Sequence, residues 1–345
     1  MAGGHPRPAA GTTPSPGDAP VIVLDGVRKE YPDGTVAVDR MDLTVARGEL
    51  LVLVGASGCG KSTTLRMVNR LVEPTGGRVL LEGRDVTRTD PVALRRRIGY
   101  VIQDVGLFPH RTVAQNVATV PHLLGWPQDR TRARTTDILD LVGLDPATFA
   151  RRYPHQLSGG QRQRVGVARA LVADPPVLLM DEPFGAVDPG ARRRLQDEFS
   201  RIQRELGTTV ILVTHDVDEA VRLGDRVAVL APGGRVEQVA DPLTVLARPR
   251  TDVVADLLGR GRLTRLLAAG RLTAADLDPV SPPDGGPDAG TLPVGASLDE
   301  ALAALTRADD DAVTVHDGGS VVGSIGPSGL VRALRRLLDD EVLTP

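Results

Sequence analysis

The sequence predicts an α/β fold built around a mostly parallel β-sheet, on three observations. Short apolar runs bounded by glycine or charged residues alternate with longer helical patterns, as expected for a sheet covered by helices. The segment GASGCGKST follows the strand-like run ELLVLVG and precedes the helical pattern TTLRMVNRL. The apolar run VLLM leads directly into Asp181 and Glu182, so a second buried strand ends in two carboxylates.

The order of these patterns predicts the individual elements. The predicted core strands are residues 21–27, Leu50–Gly55, Val177–Asp181, Thr209–Thr214 and 227–230. Antiparallel segments are predicted near Val36–Val45, 78–82 and 235–239. Between about residues 104 and 157 the strand signal fades and helical patterns replace it, notably at 130–142, which predicts a helical insertion.

Length and composition limit the possible classes of protein. A chain of 345 residues is too long for one ordinary core and suggests two domains, or one large domain with an appendage. A formal charge of −3 argues against a mainly electrostatic nucleic-acid binder. The single cysteine, Cys59, excludes an internal disulfide and a multi-cysteine zinc site. The apolar runs are far shorter than the roughly 20 residues that cross a bilayer.

Both ends of the chain differ in composition from the middle. Residues 1–20 are rich in Pro, Gly, Ala and Thr and are predicted to be a disordered leader. After a helix near Asp252–Leu258, residues 259–290 are predicted to be a linker because they include PVSPPDGGPDAG. Residues 291–345 are predicted to form a small unit with the order helix, strand, strand, helix. Ser297 and Glu300 have the spacing of a helix capping box.

The segment GASGCGKST fits the phosphate-binding pattern G-x-x-x-x-G-K-[ST] in its expected strand–helix context. Its glycines let the backbone wrap around phosphates, and the start of the next helix offers N–H groups to an anion. Lys61 is predicted to reach the β- and γ-phosphates of a nucleotide, as in many ATPases and GTPases, and Ser62 to ligate Mg²⁺. The candidate phosphate-binding residues are Gly55, Ala56, Ser57, Gly58, Cys59, Gly60, Lys61, Ser62 and Thr63.

The two carboxylates after VLLM supply a second part of the chemistry. Asp181 is predicted to hold the Mg²⁺ shell, and Glu182 to orient or deprotonate the attacking water. A strand that ends in Asp-Glu is by itself more often a solvated strand end. Beside a phosphate loop, the two residues favour nucleotide hydrolysis.

The segment LSGGQRQRVGVARALVADPP, just upstream of that strand, resembles the ATP-binding cassette (ABC) family. In that family the LSGGQ signature of one subunit contacts the γ-phosphate held by the other subunit. The resemblance therefore implies a head-to-tail dimer, homomeric or heteromeric, with two shared ATP sites. Ser158, Gly159, Gly160 and Gln161 are the signature residues implied to bind ATP.

Further positions match the family one by one. Tyr31 resembles the aromatic residue that stacks on adenine, and Gln103 resembles the glutamine that contacts Mg²⁺ and water. His215 resembles the switch histidine that contacts the γ-phosphate, and Asp188 ends the D-loop GAVD. The resemblance covers about residues 21–258 and implies an active ATPase. Its implied catalytic residues are Glu182, His215 and Gln103, and its implied metal ligands are Ser62, Gln103 and Asp181.

The D-loop departs from the family in one respect. Many relatives have Ser or Leu within that loop, where this chain has Gly185 and Val187. The substitutions weaken what the resemblance implies about communication between subunits, although Asp188 is in place.

The resemblance also implies a role in transport. The chain has one cassette, a modest insertion and no long heptads or CxxC motif, which favours a transporter subunit over a soluble ABC protein acting on ribosomes or DNA. Cassettes of exporters are commonly fused to transmembrane helices, so an importer is implied. The segments GLFPH and VPHLLGW resemble ATPase subunits of glycine betaine, proline, choline or carnitine importers. An importer of methionine or another amino acid is the alternative.

The implied partners follow from that class. They are the transmembrane permease subunits, a second ATPase subunit and, indirectly, an extracytoplasmic substrate-binding protein, with no nucleic acid. The implied location is the cytoplasmic face of the plasma membrane. The full implied fold is a P-loop NTPase of the ABC type, with a RecA-like parallel sheet, an antiparallel β subdomain and a helical insertion. The C-terminal unit, with VVGSI, looks like one CBS repeat where relatives often carry a pair, so it fits either a regulatory or a degenerate unit.

Overall fold

The computed structural model describes residues 19–103, 105–185, 187–279, 291–308 and 312–338. The predicted leader lies almost wholly outside these residues, as does the part of the predicted linker between residues 280 and 290. The strands are β1 (Ile22–Glu30), β2 (Val36–Val45), β3 (Leu50–Gly55), β4 (Gly76–Leu81), β5 (Arg84–Asp85), β6 (Ile98–Val101), β7 (Val177–Asp181), β8 (Thr209–Thr214), β9 (Arg226–Ala231), β10 (Arg235–Ala240), β11 (Thr291–Pro293), β12 (Val313–Asp317) and β13 (Ser320–Ile325). The α-helices are α1 (Lys61–Val68), α2 (Pro91–Arg97), α3 (Val113–Val117), α4 (Thr119–Leu123), α5 (Gln128–Leu141), α6 (Pro146–Phe149), α7 (Gly159–Leu171), α8 (Pro189–Leu206), α9 (Val217–Leu223), α10 (Pro242–Ala247), α11 (Asp252–Leu258), α12 (Arg262–Ala269), α13 (Leu298–Leu305) and α14 (Pro327–Leu338).

The central element is a six-stranded sheet with the order β10-β9-β3-β8-β7-β6. All neighbouring strands from β9 to β6 pair in parallel, and only β10 is antiparallel to its neighbour. Strands β3, β7 and β8 are buried at every residue, which explains their continuous apolar sequence. The predicted parallel core is therefore confirmed.

The residues of β3 show how the sheet separates two layers of core. Leu50, Val52 and Val54 pack into the cluster formed with α7 and α8. Leu51 and Leu53, which point to the opposite face, pack into the cluster formed with β1, β2, β4 and α1. Because side chains alternate along a strand, both faces of the sheet are covered by apolar material.

A second sheet is antiparallel and has the order β2-β1-β4-β5. Strand β1 pairs with β2 on one side and β4 on the other, with Ile22 opposite both Val45 and Leu81. The predicted strand at 21–27 therefore exists, but it belongs to this sheet and not with the parallel strands. The apolar pattern of this strand is compatible with either sheet, because the pattern does not show which strands it pairs with.

The edge strand β6 was not predicted from the sequence. It has four residues, follows the arginine-rich end of α2 without a turn signal and contains a glycine. Gly99 is needed there, because a Cβ at this position would lie 2.7 Å from the Ala170 carbonyl oxygen and 2.8 Å from Leu178 Cδ1. The strand is consequently short and weakly apolar, and only its pairing with β7 reveals it.

Helices α3 to α6 occupy the predicted helical insertion, between β6 and α7. Helix α5, Gln128–Leu141, matches the predicted helix at 130–142 to within two residues at each end. Asn116 is fully buried, and its amide donates to the carbonyl oxygens of Phe108, Arg111 and Thr112. This side chain stabilises the segment that leads into α3.

Across the described residues, no helix is both long and apolar enough to cross a membrane.

The C-terminal unit contains the predicted order of helix, strand, strand and helix, as α13, β12, β13 and α14. The capping box is present, because Ser297 Oγ accepts from the N–H of Glu300 at 3.1 Å and the Glu300 carboxylate accepts from the N–H of Ser297 at 2.7 Å. Residues 262–278, predicted to be linker, are instead ordered: they form α12 and a turn that holds buried Leu272. The apolar residues of this unit join the core cluster of the sheet domain.

Asp276 links this turn to α14 and is only 1% exposed. Its carboxylate accepts two hydrogen bonds from Arg336, at 3.0 and 2.7 Å, and two from Thr273, both at 2.8 Å. Burial raises the pKa of Asp276, but the bonds from Arg336 and Thr273 outweigh it and hold that pKa below its usual value. The carboxylate is therefore ionised and fully paired.

Replacement of Asp276 by Ala is expected to destabilise the C-terminal unit by about 3–5 kcal/mol, because it leaves the Arg336 guanidinium without its carboxylate partner and with a bond to the Arg271 carbonyl oxygen. Hydrogen exchange of the intact chain would show faster exchange in α13 and α14. Arg335, exposed on the same helix, gives the control Arg335→Ala, which should leave exchange unchanged. Equal exchange in the two variants would contradict the prediction.

Candidate functional site

The phosphate loop connects β3 to α1 through backbone conformations that favour glycine. Gly58 and Gly60 have φ values of 77° and 103°. A Cβ on Gly60 would also lie 2.4 Å from the Ala37 carbonyl oxygen in β2. The loop is thus closely packed against the antiparallel sheet, and its curvature depends on the missing side chains.

Lys61 lies inside this loop and is only 6% exposed. Its Nζ donates to the carbonyl oxygens of Gly55 at 2.8 Å and Ala56 at 2.9 Å. The helix that begins at Lys61 has Gly60 as its N-cap, so no side chain caps its first N–H groups. An ammonium and uncapped backbone donors therefore face the same concave loop, an arrangement suited to phosphate.

Four parallel strands end at the same edge of the sheet, and this edge brings the other predicted residues together. Ser62, at the start of α1 after β3, donates to Asp181 Oδ1 at the end of β7, with an oxygen–oxygen distance of 2.8 Å. Hydroxyl and carboxylate oxygens are ligands that Mg²⁺ accepts, usually with waters and phosphate oxygens completing its shell. Among the described residues there is no group of three or more His, Cys, Asp or Glu side chains that could hold a metal.

The Glu182 carboxylate contacts two further predicted side chains. Gln103, after β6, places Nε2 3.3 Å from Glu182 Oε2, and His215, after β8, places Nδ1 3.2 Å from Glu182 Oε1. Glu182 has a φ of 46°, which is uncommon for a non-glycine residue. The hydrogen bond from its N–H to Val213 O, at 2.9 Å, anchors that backbone to β8. The carboxylate is thereby held between an amide and an imidazole.

Other predicted residues lie elsewhere in the chain. Tyr31 follows β1 at the turn before β2, with Lys29 Nζ 5.1 Å from its ring centroid. Ser158 and Gln161 form a capping box at the start of α7, with bonds of 2.9 and 3.3 Å, while Gly159 and Gly160 form the first helical turn. No hydrogen bond in the described part of the chain joins these signature residues to the phosphate loop. Asp188 directly precedes α8 and is exposed.

Three residues beside His215 were not predicted as part of the site. Thr214, Glu219 and Arg192 line a small cavity of about 60 Å³ together with Glu182 and His215. Glu219 stands in the first turn of a helix, where an acidic residue is favourable and ordinarily exposed. The sequence therefore carries no signal that this carboxyl group is buried.

Burial raises the pKa of Glu219 to about 7 from its ordinary value of 4.5, and the nearby Asp216 adds to the shift. Thr214, by donating a hydrogen bond, and Arg192, by its charge, oppose it. As the pH rises from 4.5 to 7 the unfolded chain loses this proton while the folded chain keeps it. Stability therefore falls with rising pH in this window, by on the order of 3 kcal/mol.

Glu219→Gln removes this ionisation, so the variant should gain stability relative to the wild type at about pH 8 compared with about pH 5. Urea unfolding of both proteins at the two pH values measures the difference. The exposed Glu205 on α8 provides the control Glu205→Gln, for which the difference should be the same at both pH values. A constant difference for Glu219→Gln would contradict the assignment.

Comparison with known proteins shows which family this chain resembles. Residues 38–185 match the family described as ABC transporter. OpuCA of Bacillus subtilis (strain 168), a glycine betaine/carnitine/choline transport ATP-binding protein, is 49% identical over 243 residues, covering 70% of this chain and 63% of that protein. YehX of Escherichia coli (strain K12), a glycine betaine uptake system ATP-binding protein, is 53% identical over 233 residues, covering 67% of this chain and 75% of that protein. This chain therefore spans less than two thirds of the Bacillus relative.

A solved structure shares the fold. The ATP-binding cassette MJ0796, in a dimeric post-hydrolysis state bound to ADP and Pi, superposes with a TM-score of 0.58 and 34% sequence identity. The match covers 64% of this chain and 98% of that one. The shared region is thus nearly the whole of the solved cassette.

Proposed function

Because this chain belongs to the ABC transporter family of ATP-binding proteins, we propose that it hydrolyses ATP to drive the import of a quaternary-amine osmoprotectant through a membrane permease. The observation that carries the proposal is the convergence of Lys61, the Ser62–Asp181 pair and Glu182 at one edge of the sheet. Each part of phosphate-ester hydrolysis, from anion binding to water activation, has a side chain there.

The roles follow from the positions of the donors and acceptors. Lys61 and the uncapped N–H groups of α1 bind the β- and γ-phosphates of ATP. Ser62 and Asp181, with Gln103, are the residues that would hold Mg²⁺. When bound, Mg²⁺ would neutralise charge on the phosphate oxygens.

Glu182 is suited to accept a proton from the attacking water. Its carboxylate already accepts a hydrogen bond from Gln103 and lies beside the imidazole of His215. His215, whose side chain is 64% exposed, can therefore contact both the γ-phosphate and Glu182. Tyr31 serves as the stacking surface for adenine.

The complete site needs a second copy of the cassette. Ser158 and Gln161 bond to each other in a capping box at the start of α7, and the N–H groups of Gly159 and Gly160 in its first turn are suited to the γ-phosphate of a partner's ATP. We propose that two cassettes pair head to tail, with Asp188 near the shared interface. ATP closes the pair and hydrolysis reopens it.

The surface of the helical insertion fits a membrane partner. Phe108, Leu123 and Leu124 are large apolar side chains of the insertion that are 39, 55 and 38% exposed, and a protein partner can cover them. Gln103 lies at the start of the same segment, so movement of a permease against it can reach Glu182. We therefore propose that the protein acts at the inner face of the membrane. That the C-terminal unit is a single CBS-like domain stays a prediction.

Uptake of labelled glycine betaine, choline and proline by cells that have or lack this subunit tests the proposed cargo. We expect uptake of at least one of them to fall to background without the subunit and to return with the wild-type chain. Chains carrying Glu182→Gln should fail to restore it, whereas chains carrying the exposed control Glu205→Gln should succeed. Unchanged uptake of all three solutes would contradict the proposed cargo. Hydrolysis of ATP by the purified chain would still support the proposed ATPase activity in that case.

A further inference from the structure

A chain of hydrogen bonds surrounds the backbone of His215. Glu219 lies in the first turn of α9, is 5% exposed, and accepts a hydrogen bond from Thr214 Oγ1 through Oε2. The same hydroxyl oxygen accepts from the N–H of Asp216 at 3.0 Å. Thr214 and Asp216 are the two neighbours of His215 in sequence, so Glu219 restrains the turn on both sides of the imidazole.

His215 depends on this restraint because its own contacts are few. Its side chain is 64% exposed, so packing holds it only weakly. The approach of Nδ1 to Glu182 at 3.2 Å is its one ion-pair contact within the described residues. The direction of the imidazole is therefore set mainly by the backbone that carries it.

Glu219 lines the same cavity as His215, Glu182 and Arg192. Glu219 Oε1 and the Nε of Arg192 are buried, and neither makes a hydrogen bond of normal length and angle among the described residues, although the Gln196 amide lies near enough to the carboxylate to favour its charge. The cavity of about 60 Å³ exceeds the roughly 15 Å³ that one water needs. A buried acceptor and a buried donor beside a polar cavity indicate a site for ordered water.

The charges around Glu219 come from three parts of the chain. Arg192 of α8 lies 3.6 Å from Asp216 and favours the ionised carboxylate, as does the amide of Gln196 on the same helix. Asp216 favours the neutral form, and Glu182 and His215 face the group across the cavity. An ionised Glu219 accepts the stronger bond from Thr214, because charge-assisted hydrogen bonds are shorter and stronger than neutral ones.

We propose that Glu219 is a positioning residue for ATP hydrolysis, which fixes the His215 turn through Thr214 and holds water between His215 and Glu182. The inference rests on the proposed ATPase function. It requires turnover to depend on the charge of Glu219 while ATP binding does not, since no residue of the phosphate loop lines the cavity of Glu219. Turnover should then rise with pH near neutrality, where this carboxyl group ionises.

The test measures kcat and KM for MgATP with the full-length chain between about pH 6 and pH 8.5. Glu219→Ala and Thr214→Val should each lower kcat at least about tenfold and leave KM within about twofold. Glu219→Gln keeps the shape of the side chain and should fold even if the Ala variant does not. It should lower kcat severalfold and remove the rise in turnover near pH 7.

A double variant separates positioning from general loss of structure. If Glu219 acts through His215, Glu219→Ala combined with His215→Ala should be no slower than His215→Ala alone. Glu205→Gln serves as the exposed control and should match the wild type. A wild-type pH profile in Glu219→Gln, or additive losses in the double variant, would overturn the inference. A wild-type chain that does not hydrolyse ATP would instead overturn the proposed function on which it rests.

Discussion

Glu182→Gln is expected to bind ATP at close to wild-type affinity and to hydrolyse it at least about 100-fold more slowly. Glutamine preserves the size of the side chain and can still accept a hydrogen bond from Gln103. It cannot take a proton from the attacking water, so the site should assemble and then stall. Two cassettes closed around uncleaved ATP should accumulate as a dimer.

Equilibrium binding of ATP, steady-state turnover and size-exclusion chromatography with MgATP measure these three effects. Glu205→Gln makes the same chemical change on the exposed face of α8 and should behave like the wild type. Turnover close to normal in Glu182→Gln would show that another group acts as the base. Loss of ATP binding would show that the carboxylate has a role in assembling the site.

Lys61→Arg is expected to weaken ATP binding and turnover by at least about tenfold although it keeps the charge. Nζ occupies a small space bounded by the carbonyl oxygens of Gly55 and Ala56, at 2.8 and 2.9 Å. A guanidinium is planar and larger than an ammonium, so it cannot take the same position. The loop cannot widen easily, because Gly60 already packs against β2 with no room for a Cβ.

The chain has only one other lysine, and it gives a matched control. Lys29, in β1 of the antiparallel sheet, donates to the Glu73 carbonyl oxygen at 2.9 Å, and an arginine can make the same bond. An arginine also keeps a cation beside the Tyr31 ring, so Lys29→Arg should leave ATP affinity and turnover close to those of the wild type. Equal affinity of the Lys61→Arg variant and the wild type would mean that the loop tolerates a forked cation.

Prediction from the sequence succeeded where a motif and its flanking elements are contiguous. The phosphate loop was identified because a strand, a glycine-rich turn and a helix follow one another within about 20 residues, and the structure has β3, the loop and α1 in that order. The membership of the ABC family is likewise confirmed by relatives of about 50% identity. The roles of the individual site residues remain proposals that the variants above test.

Prediction failed where pairing or burial depends on distant parts of the chain. Strand β6 was missed because four residues with a glycine carry little pattern, and its partner β7 begins more than 70 residues later. Residues 262–278 were taken for linker, yet Asp276 there is buried against Arg336 of α14. Local composition cannot report such contacts, since it describes neighbours along the chain and not in space.

By itself the sequence predicted the phosphate loop and the family of this protein, because the segment GASGCGKST and the LSGGQ signature are contiguous patterns that the chain fixes locally. Only the tertiary structure decided the environment of Glu219, an acidic residue whose place in a first helical turn predicts exposure. The fold closes β8, α8 and α9 around it and removes its carboxyl group from water. The desolvation of this carboxyl group depends on all the atoms that pack around it, so it arises only when the chain has folded.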